Sequence, residues 1–253
     1  MPVVLDGKVA IVTGGGAGLG RAIARSFAAA GASIVVMGRT AATLEDARSE
    51  LEALGARALA VVGDVREVDD IQQCLDRTVR EFDRLDILVN NAHTITHGLL
   101  VDATDADMED EWRSGPFAVF RFMRLAHPHL AVRGGVVVNL GSGAQALHDS
   151  KGWGLYGASK SAIQTLTRYA ANEWGADGIR VIQVLPLATS EGVERMRSRD
   201  PDAYARVVSR VPLGRFGDAD VDVAGPIAWL VSDEARFITG STIMLDGGQI
   251  QMR

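Results

Sequence analysis

Short apolar runs alternate with longer amphipathic stretches along the whole chain, and this alternation limits the possible folds more than any other feature. The runs cover residues 9–13, 33–37, 58–62, 87–90, 135–140, 180–185 and 242–245. Most are nearly continuous Val, Ile, Leu or Ala, the pattern of strands buried on both faces. Helical spacing occupies residues 20–30, 41–54, 68–82, 105–130, 156–174 and 221–231. Strands alternating with helices of this length require right-handed crossovers and a parallel sheet. The expected fold class is therefore α/β: a single-domain, doubly wound Rossmann-type parallel sheet of about seven strands with helices on both faces. No linker or composition shift divides residues 1–253. Residues 189–212 depart from the pattern, since Gly192, Pro201 and Pro212 stand there among five arginines and four acids. That stretch reads as a mobile, solvated substrate lid over the top of the sheet.

Charge and composition narrow the partners. A formal net charge of −6 argues against nucleic acid or an anionic membrane as the main partner. No apolar run approaches the roughly 20 residues that span a bilayer, and no basic-then-apolar leader opens the chain. A cytoplasmic protein is the expectation. Cys74, the single cysteine, rules out an intrachain disulfide. Its helical neighbours Ile71, Leu75 and Val79 mark it as a buried, inert thiol.

The first strand candidate runs directly into Thr13-Gly14-Gly15-Gly16-Ala17-Gly18-Leu19-Gly20, where a helix opens. Glycines suit a tight turn whose backbone approaches a pyrophosphate, and the helix N-terminus offers free N–H groups to the phosphates. The second strand ends at Gly38, Arg39 and Thr40, where a carboxylate would otherwise accept from the ribose of NAD. Without the acid, Arg39 can bind a 2′-phosphate with several donors, so NADP(H) is the expected cofactor. Asp64-Val65 and Asn90-Asn91-Ala92 follow the third and fourth strands, at the carboxyl ends where ligands of open α/β sheets bind.

Ser142 closes the fifth strand, and Tyr156-Gly157-Ala158-Ser159-Lys160 opens the next helix. Tyr156 and Lys160 are one turn apart on one helix face. A free phenol has a pKa of about 10, and a neighbouring ammonium would favour the phenolate. The glycine string, Asn-Asn-Ala, the strand-end serine and Tyr-x-x-x-Lys, in this order and spacing, resemble the short-chain dehydrogenase/reductase family, in particular NADP-preferring carbonyl reductases similar to the 3-oxoacyl-carrier-protein reductases. The resemblance runs the length of the chain, to Thr239-Gly240-Ser241 and Asp246-Gly247-Gly248.

The resemblance implies an enzyme that moves hydride between NADP(H) and a carbonyl/secondary alcohol pair. Ser142, Tyr156 and Lys160 would be catalytic, with Tyr156 the acid and base. Gly14, Gly16, Gly18, Leu19, Gly20, Arg39, Thr40, Asp64, Val65, Asn91, Tyr156, Lys160, Pro186 and Thr189 would hold the cofactor. His93, Leu147, His148, Trp153 and Leu187 would face a small-molecule carbonyl or alcohol, and a homotetramer is implied. The same fold supports reduction of an activated C=C or C=N bond, or nucleotide sensing by a degenerate member.

Three positions depart from the family pattern: His93 replaces a glycine, Leu187 replaces another, and Gly115-Pro116 stands where an asparagine usually occurs. A kink is expected at Gly115-Pro116. On this reading Gly115→Asn would restore an ordered proton relay and speed turnover. His93 is equally readable as a packed loop residue or as a replacement for part of that relay. His93 and His97 lack a helical face that would aim both at a metal, so no metal site is expected.

Overall fold

A computed structural model of the chain describes residues 3–147 and 151–250. The apolar runs form β1 (Val9–Thr13), β2 (Ser33–Gly38), β3 (Ala58–Val62), β4 (Ile87–Asn90), β5 (Val136–Leu140), β6 (Arg180–Pro186) and β7 (Thr242–Leu245). They lie in the order β3-β2-β1-β4-β5-β6-β7, and every neighbouring pair is parallel. The chain winds one way from β1 to β3 and the other way from β4 to β7. A crevice therefore opens at the carboxyl ends of β1 and β4, where the winding reverses.

The helices are α1 (Gly18–Ala29), α2 (Ala41–Ala53), α3 (Val68–Phe82), α4 (Asp105–Trp112), α5 (Ala118–Leu130), α6 (Gly154–Trp174), α7 (Glu191–Arg199), α8 (Pro201–Val208) and α9 (Gly225–Val231). Successive strand residues face opposite sides of a sheet. Ala10 and Val12 of β1 accordingly pack with Ile23 and Phe27 of α1 and Ile227 of α9. Val9 and Ile11 pack with Leu75 of α3, Phe122 of α5 and Ile163 of α6. Both faces are covered, so the positions of a central strand are apolar except where a buried polar side chain such as Asn139 or Gln183 finds hydrogen-bond partners. Cys74 is fully buried in the second layer, and burial pushes its thiol up to about 12.

Two stretches differ from the sequence reading. The long helix expected over residues 105–130 is broken by a π-helical turn at Arg113–Phe117 that contains Pro116. Proline lacks the N–H of a regular helix and its ring crowds the carbonyl four residues back, and a widened turn accommodates both effects. Residues 189–212 stand outside the strand–helix alternation in the sequence reading, and most of them form α7 and α8. Ser190 accepts from the Val193 N–H at 3.2 Å, and Asp200 accepts from the Ala203 N–H at 2.9 Å. Pro201 occupies the first turn of α8, where its fixed φ favours helix initiation. Caps rather than apolar periodicity begin these helices, and neither buries a residue.

At the amino ends of the central strands, Asp86 is buried and accepts the Val9 N–H at 2.8 Å. Its two oxygens also take Arg84 Nε at 2.7 Å and Nη2 at 2.6 Å. The carboxylate thereby clamps β1 to the start of β4. Asp86→Ala leaves a buried N–H and a half-buried guanidinium without their acceptor. It is expected to lower the unfolding free energy by about 2–3 kcal/mol, read from urea denaturation; an unchanged midpoint would remove the clamp from the account.

Candidate active site

The crevice begins with Thr13, the last residue of β1. Its hydroxyl oxygen accepts from the N–H groups of Asn91 at 2.9 Å and Ala92 at 3.0 Å, and its O–H donates to the Val89 carbonyl at 3.3 Å. Asn91 Nδ2 returns a bond to the Thr13 carbonyl at 2.8 Å. A Cβ on Gly14, whose φ is +66°, would approach Asn91 Nδ2 to 2.7 Å. A Cβ on Gly20 would come within 2.4 Å of the Gly14 carbonyl oxygen. Those two glycines are thus required by the loop closing around Asn91, a reason absent from the sequence reading. Gly18 differs: at φ +51° its Cβ would have nothing within 4 Å and would project into open space. Ala17 gives α1 no side-chain cap, so the first-turn N–H groups remain for a ligand.

Gly14, Arg39, Asp64, Val65, Asn91 and His93 line one crevice of about 280 Å³. Leu19 packs against the core, while Thr40 is exposed at the start of α2. Gly16 lies over α2, where a Cβ would reach 3.0 Å from Thr43 Oγ1. Asp64, expected among the cofactor residues, is clasped by Arg66 Nε at 3.0 Å and Nη2 at 2.7 Å. Burial opposes its charge, but Arg66, with a smaller contribution from Arg39, holds the carboxyl below its ordinary range. Arg39 itself is exposed and makes no ion pair among the described residues.

On the other side of the crevice, α6 packs Tyr156 and Lys160 against the end of β5. Both are buried. Lys160 Nζ donates to the Leu140 carbonyl at 2.6 Å and lies 5.5 Å from the Tyr156 ring centroid. Buried polar side chains fix this helix on the sheet. Asn90 Nδ2 donates to Asn139 Oδ1 at 2.8 Å, Asn139 Nδ2 to Thr167 Oγ1 at 2.9 Å, and Gln183 Nε2 to the Lys160 carbonyl at 3.2 Å. Ser142, two residues beyond β5, caps the short turn Gly143–Gln145 by accepting the Ala144 N–H at 3.2 Å.

Burial dominates the titration of this pair. It lowers the Lys160 ammonium from 10.5 to about 7, against the pull of Glu111. It raises the Tyr156 phenol from 10.0 to about 12; a hydrogen bond with Ser142 opposes that rise and the Glu111 charge adds to it. The expectation that the ammonium would lower the phenol is not met in this state. Desolvation outweighs it, and Lys160 gives its hydrogen bond to Leu140.

His93 was assigned to the substrate, but its side chain is only 5% exposed and lies on the crevice wall. The ring packs on Tyr156 at 5.2 Å between centroids. Its Nε2 is 2.7 Å from Glu111 Oε1, off the axis of a straight N–H bond, and its Nδ1 has no partner among the described residues. Glu111 is fully buried, with Oε1 accepting Ser159 Oγ–H at 2.8 Å and Oε2 accepting the Thr96 N–H at 2.8 Å. Burial opposes its charge, yet His93, Thr96 and Ser159 together keep the carboxyl below its usual range. Burial and the Lys160 charge lower the imidazole, against the upward pull of Glu111.

A Cβ on Gly115 would lie 2.8 Å from both Cε1 and Nε2 of His93. Asparagine at 115 would therefore displace the imidazole, which corrects the expectation that Gly115→Asn alone restores a relay. Sequence reasoning missed Glu111, which lies in the string Asp-Ala-Asp-Met-Glu-Asp-Glu and reads as part of a solvated acidic face. Its available signal is a place one helical turn before Gly115, on the same face.

Ser142, Leu147, Trp153, Pro186 and Leu187 line a second pocket of about 150 Å³, closed from the C-terminal side by Gln249 and Ile250. Those two residues carry no local motif and arrive only through the fold; Asp246 Oδ2 accepts the Ile250 N–H at 2.8 Å. Trp153 meets Tyr156 edge-on at 5.6 Å and His97 at 4.3 Å. Thr189 is exposed outside both pockets, bonded through its N–H to the Gly217 carbonyl at 2.8 Å. His148 lies outside the described residues.

A family model described as Enoyl-(Acyl carrier protein) reductase matches residues 14–249. The chain is 38% identical to 12alpha-hydroxysteroid dehydrogenase of Clostridium sp., over 98% of each chain. It is 34% identical to 3-oxoacyl-[acyl-carrier-protein] reductase of Escherichia coli, over 96% of this chain and 97% of that one. Among solved structures it resembles L-sorbose reductase from Gluconobacter frateurii complexed with NADPH and L-sorbose, with a TM-score of 0.92, 28% identity and all of both chains covered.

Lys160 provides a stability test. Its folded-state value of about 7 lies below the ordinary 10.5, so between those values the unfolded chain binds the extra proton. Stability therefore rises with pH across that window. The unfolding temperature of the native protein should gain more between about pH 7 and about pH 9 than that of Lys160→Met. Equal slopes would mean that the folded protein keeps Lys160 charged.

Proposed function

Because the chain belongs to the short-chain dehydrogenase/reductase family, we propose that it is an NADP(H)-dependent oxidoreductase interconverting a small-molecule carbonyl and its secondary alcohol. The observation that carries this reading is the buried Tyr156–Lys160 pair, with Ser142 hydrogen-bonded to the phenol and an apolar pocket beside them. In reduction the Tyr156 O–H gives its proton to the carbonyl oxygen, and in oxidation the phenolate takes one from the alcohol. Ser142 donates a hydrogen bond to that oxygen and stabilises the charge developing on it. Lys160 holds a ribose hydroxyl, and its charge favours the phenolate when the proton leaves. The nicotinamide, when bound, supplies or receives the hydride.

The residues present suit that cofactor. Gly18 leaves open the space a side chain would fill, beside the uncapped N-terminus of α1. Gly14, Gly16, Gly18, Leu19 and Gly20 would cradle the diphosphate. Arg39 and Thr40 would hold a 2′-phosphate, for which an exposed guanidinium without an ion pair is a ready partner. Asp64 and Val65 would face the adenine, and Asn91, Pro186 and Thr189 the nicotinamide side.

Leu147, Trp153 and Leu187, joined by Ile250, suit a medium-sized apolar ketone. The hydroxysteroid relative makes bulky alicyclic alcohols the first class to try. We assign α7 and α8 the role of substrate lid. Phe117, Phe120, Tyr169 and Phe237 stand exposed, which supports a homotetramer whose subunits cover them. The matching family description favours a second reading, reduction of an activated C=C bond. Product analysis on paired ketone and enone substrates separates the two.

Titration with NADPH and NADH tests the cofactor. NADPH should bind at least about tenfold more tightly, the ~1.4 kcal/mol of one good charge-assisted contact, and Arg39→Asp should reverse the order. Equal binding would sink the role given to Arg39. Tyr156→Phe should lose about 10²–10⁴-fold in kcat while NADPH binding is retained; undiminished turnover would exclude Tyr156 as the acid.

A further inference from the structure

Three residues outside the proposed chemistry meet behind its centre: His93 on the loop after β4, Glu111 near the end of α4, and Gly115 in the π-helical turn that follows. Two are buried ionisable groups, and Nδ1 of the imidazole has no hydrogen-bond partner among the described residues. Such groups are costly to bury and are not needed to fill space. The arrangement is also built from several sides. Ser159 and Thr96 each direct one oxygen of Glu111, which presents Oε1 to the imidazole. Gly115 leaves room for that ring beside the helix, since a Cβ would contact it at 2.8 Å. The other side of the ring meets Tyr156.

We propose that His93, held by Glu111, is the proton carrier that resupplies the Tyr156–Lys160 pair from the crevice. The inference rests on the carbonyl-reductase reading. Each reduction breaks one phenol O–H bond and forms one alcohol O–H bond, so the phenolate must regain one proton. Lys160 releases an N–H proton to it, and the resulting amine takes one from the imidazolium of His93. The imidazole is recharged by water at the crevice wall that His93 lines. One solvent proton is consumed per carbonyl reduced, and oxidation runs the sequence backwards. The titratable groups facing the ring are Glu111 from α4 and Tyr156 and Lys160 from α6. Glu111 favours the imidazolium, and its field reaches Tyr156 and Lys160 as well. His93 is thus a positioning and relay residue, since it acts on substrate only through Tyr156.

The test is the pH profile of reductive kcat and KM for the wild type, His93→Gln and Glu111→Gln, with NADPH affinity measured alongside. The wild-type rate should fall as pH rises through the ionisation of His93. In His93→Gln that ionisation should vanish and kcat should drop about tenfold, with KM and NADPH affinity within about twofold of wild type. Glu111→Gln should move the ionisation to lower pH, because the carboxylate that favours the imidazolium is gone. His93→Ala should recover part of its kcat when imidazole is added, a gain that a packing role would not produce. An unchanged pH profile in His93→Gln overturns the relay, as does a lost rate that imidazole does not restore. Absence of any NADPH-dependent carbonyl reduction by the wild type overturns the parent reading, and the relay with it.

Discussion

The geometry of the site depends on holding a buried ammonium, Lys160, against the Leu140 carbonyl at 2.6 Å. That bond pins the first turns of α6 to the end of β5. Ser142 leaves the same strand two residues later, so it is placed relative to Lys160 by covalent geometry. Asn139 and Gln183 repeat the fastening deeper in the sheet, through Thr167 and the Lys160 carbonyl. Together they fix the rotation of α6 and so the direction of Tyr156. The surroundings that make this rigid also strip water from both groups, leaving the phenol at about 12 and the ammonium at about 7. The protein therefore holds a neutral donor ready, and charge must be brought to it.

Much of this was legible in the chain. Strands covered on both faces are apolar at most positions, and the sequence runs match the strands to within about one residue at each end. The order of Gly14–Gly20, Asn91, Ser142, Tyr156 and Lys160 marked the carboxyl edge of the sheet. What stayed hidden has physical causes. Helix α7 has only Val193 and Met196 as half-buried apolar residues and α8 only Ala203, Tyr204, Val207 and Val208, runs too short to stand out in the sequence. Glu111 is flanked by other acids, and only the approach of His93, Ser159 and Thr96 sets it apart. The depth of burial that reverses the expected shift of Tyr156 belongs to the packed molecule and has no local signature.

At the nucleotide end, two arginines of one formal charge are put to different uses. Arg66 is spent on Asp64 and Asp110, with Nη1 at 2.8 Å from the latter. This ties the end of β3 to α4 and leaves the Asp64 carboxylate little freedom to rotate. Arg39 keeps its donors because Gly38 before it has no side chain to engage them and Asp64 is already taken. The distinction is invisible to a count of charges and follows from which carboxylates lie within reach.

The two short helices after β6 differ from the helices that flank the sheet. Their caps and exposed ion pairs, such as Arg195 with Glu191, are local, and Tyr204 of α8 stacks on the buried Phe216 at 5.3 Å. Replacing the exposed residues there removes little buried surface, so those positions can drift without eroding the stability on which Tyr156 and Lys160 depend.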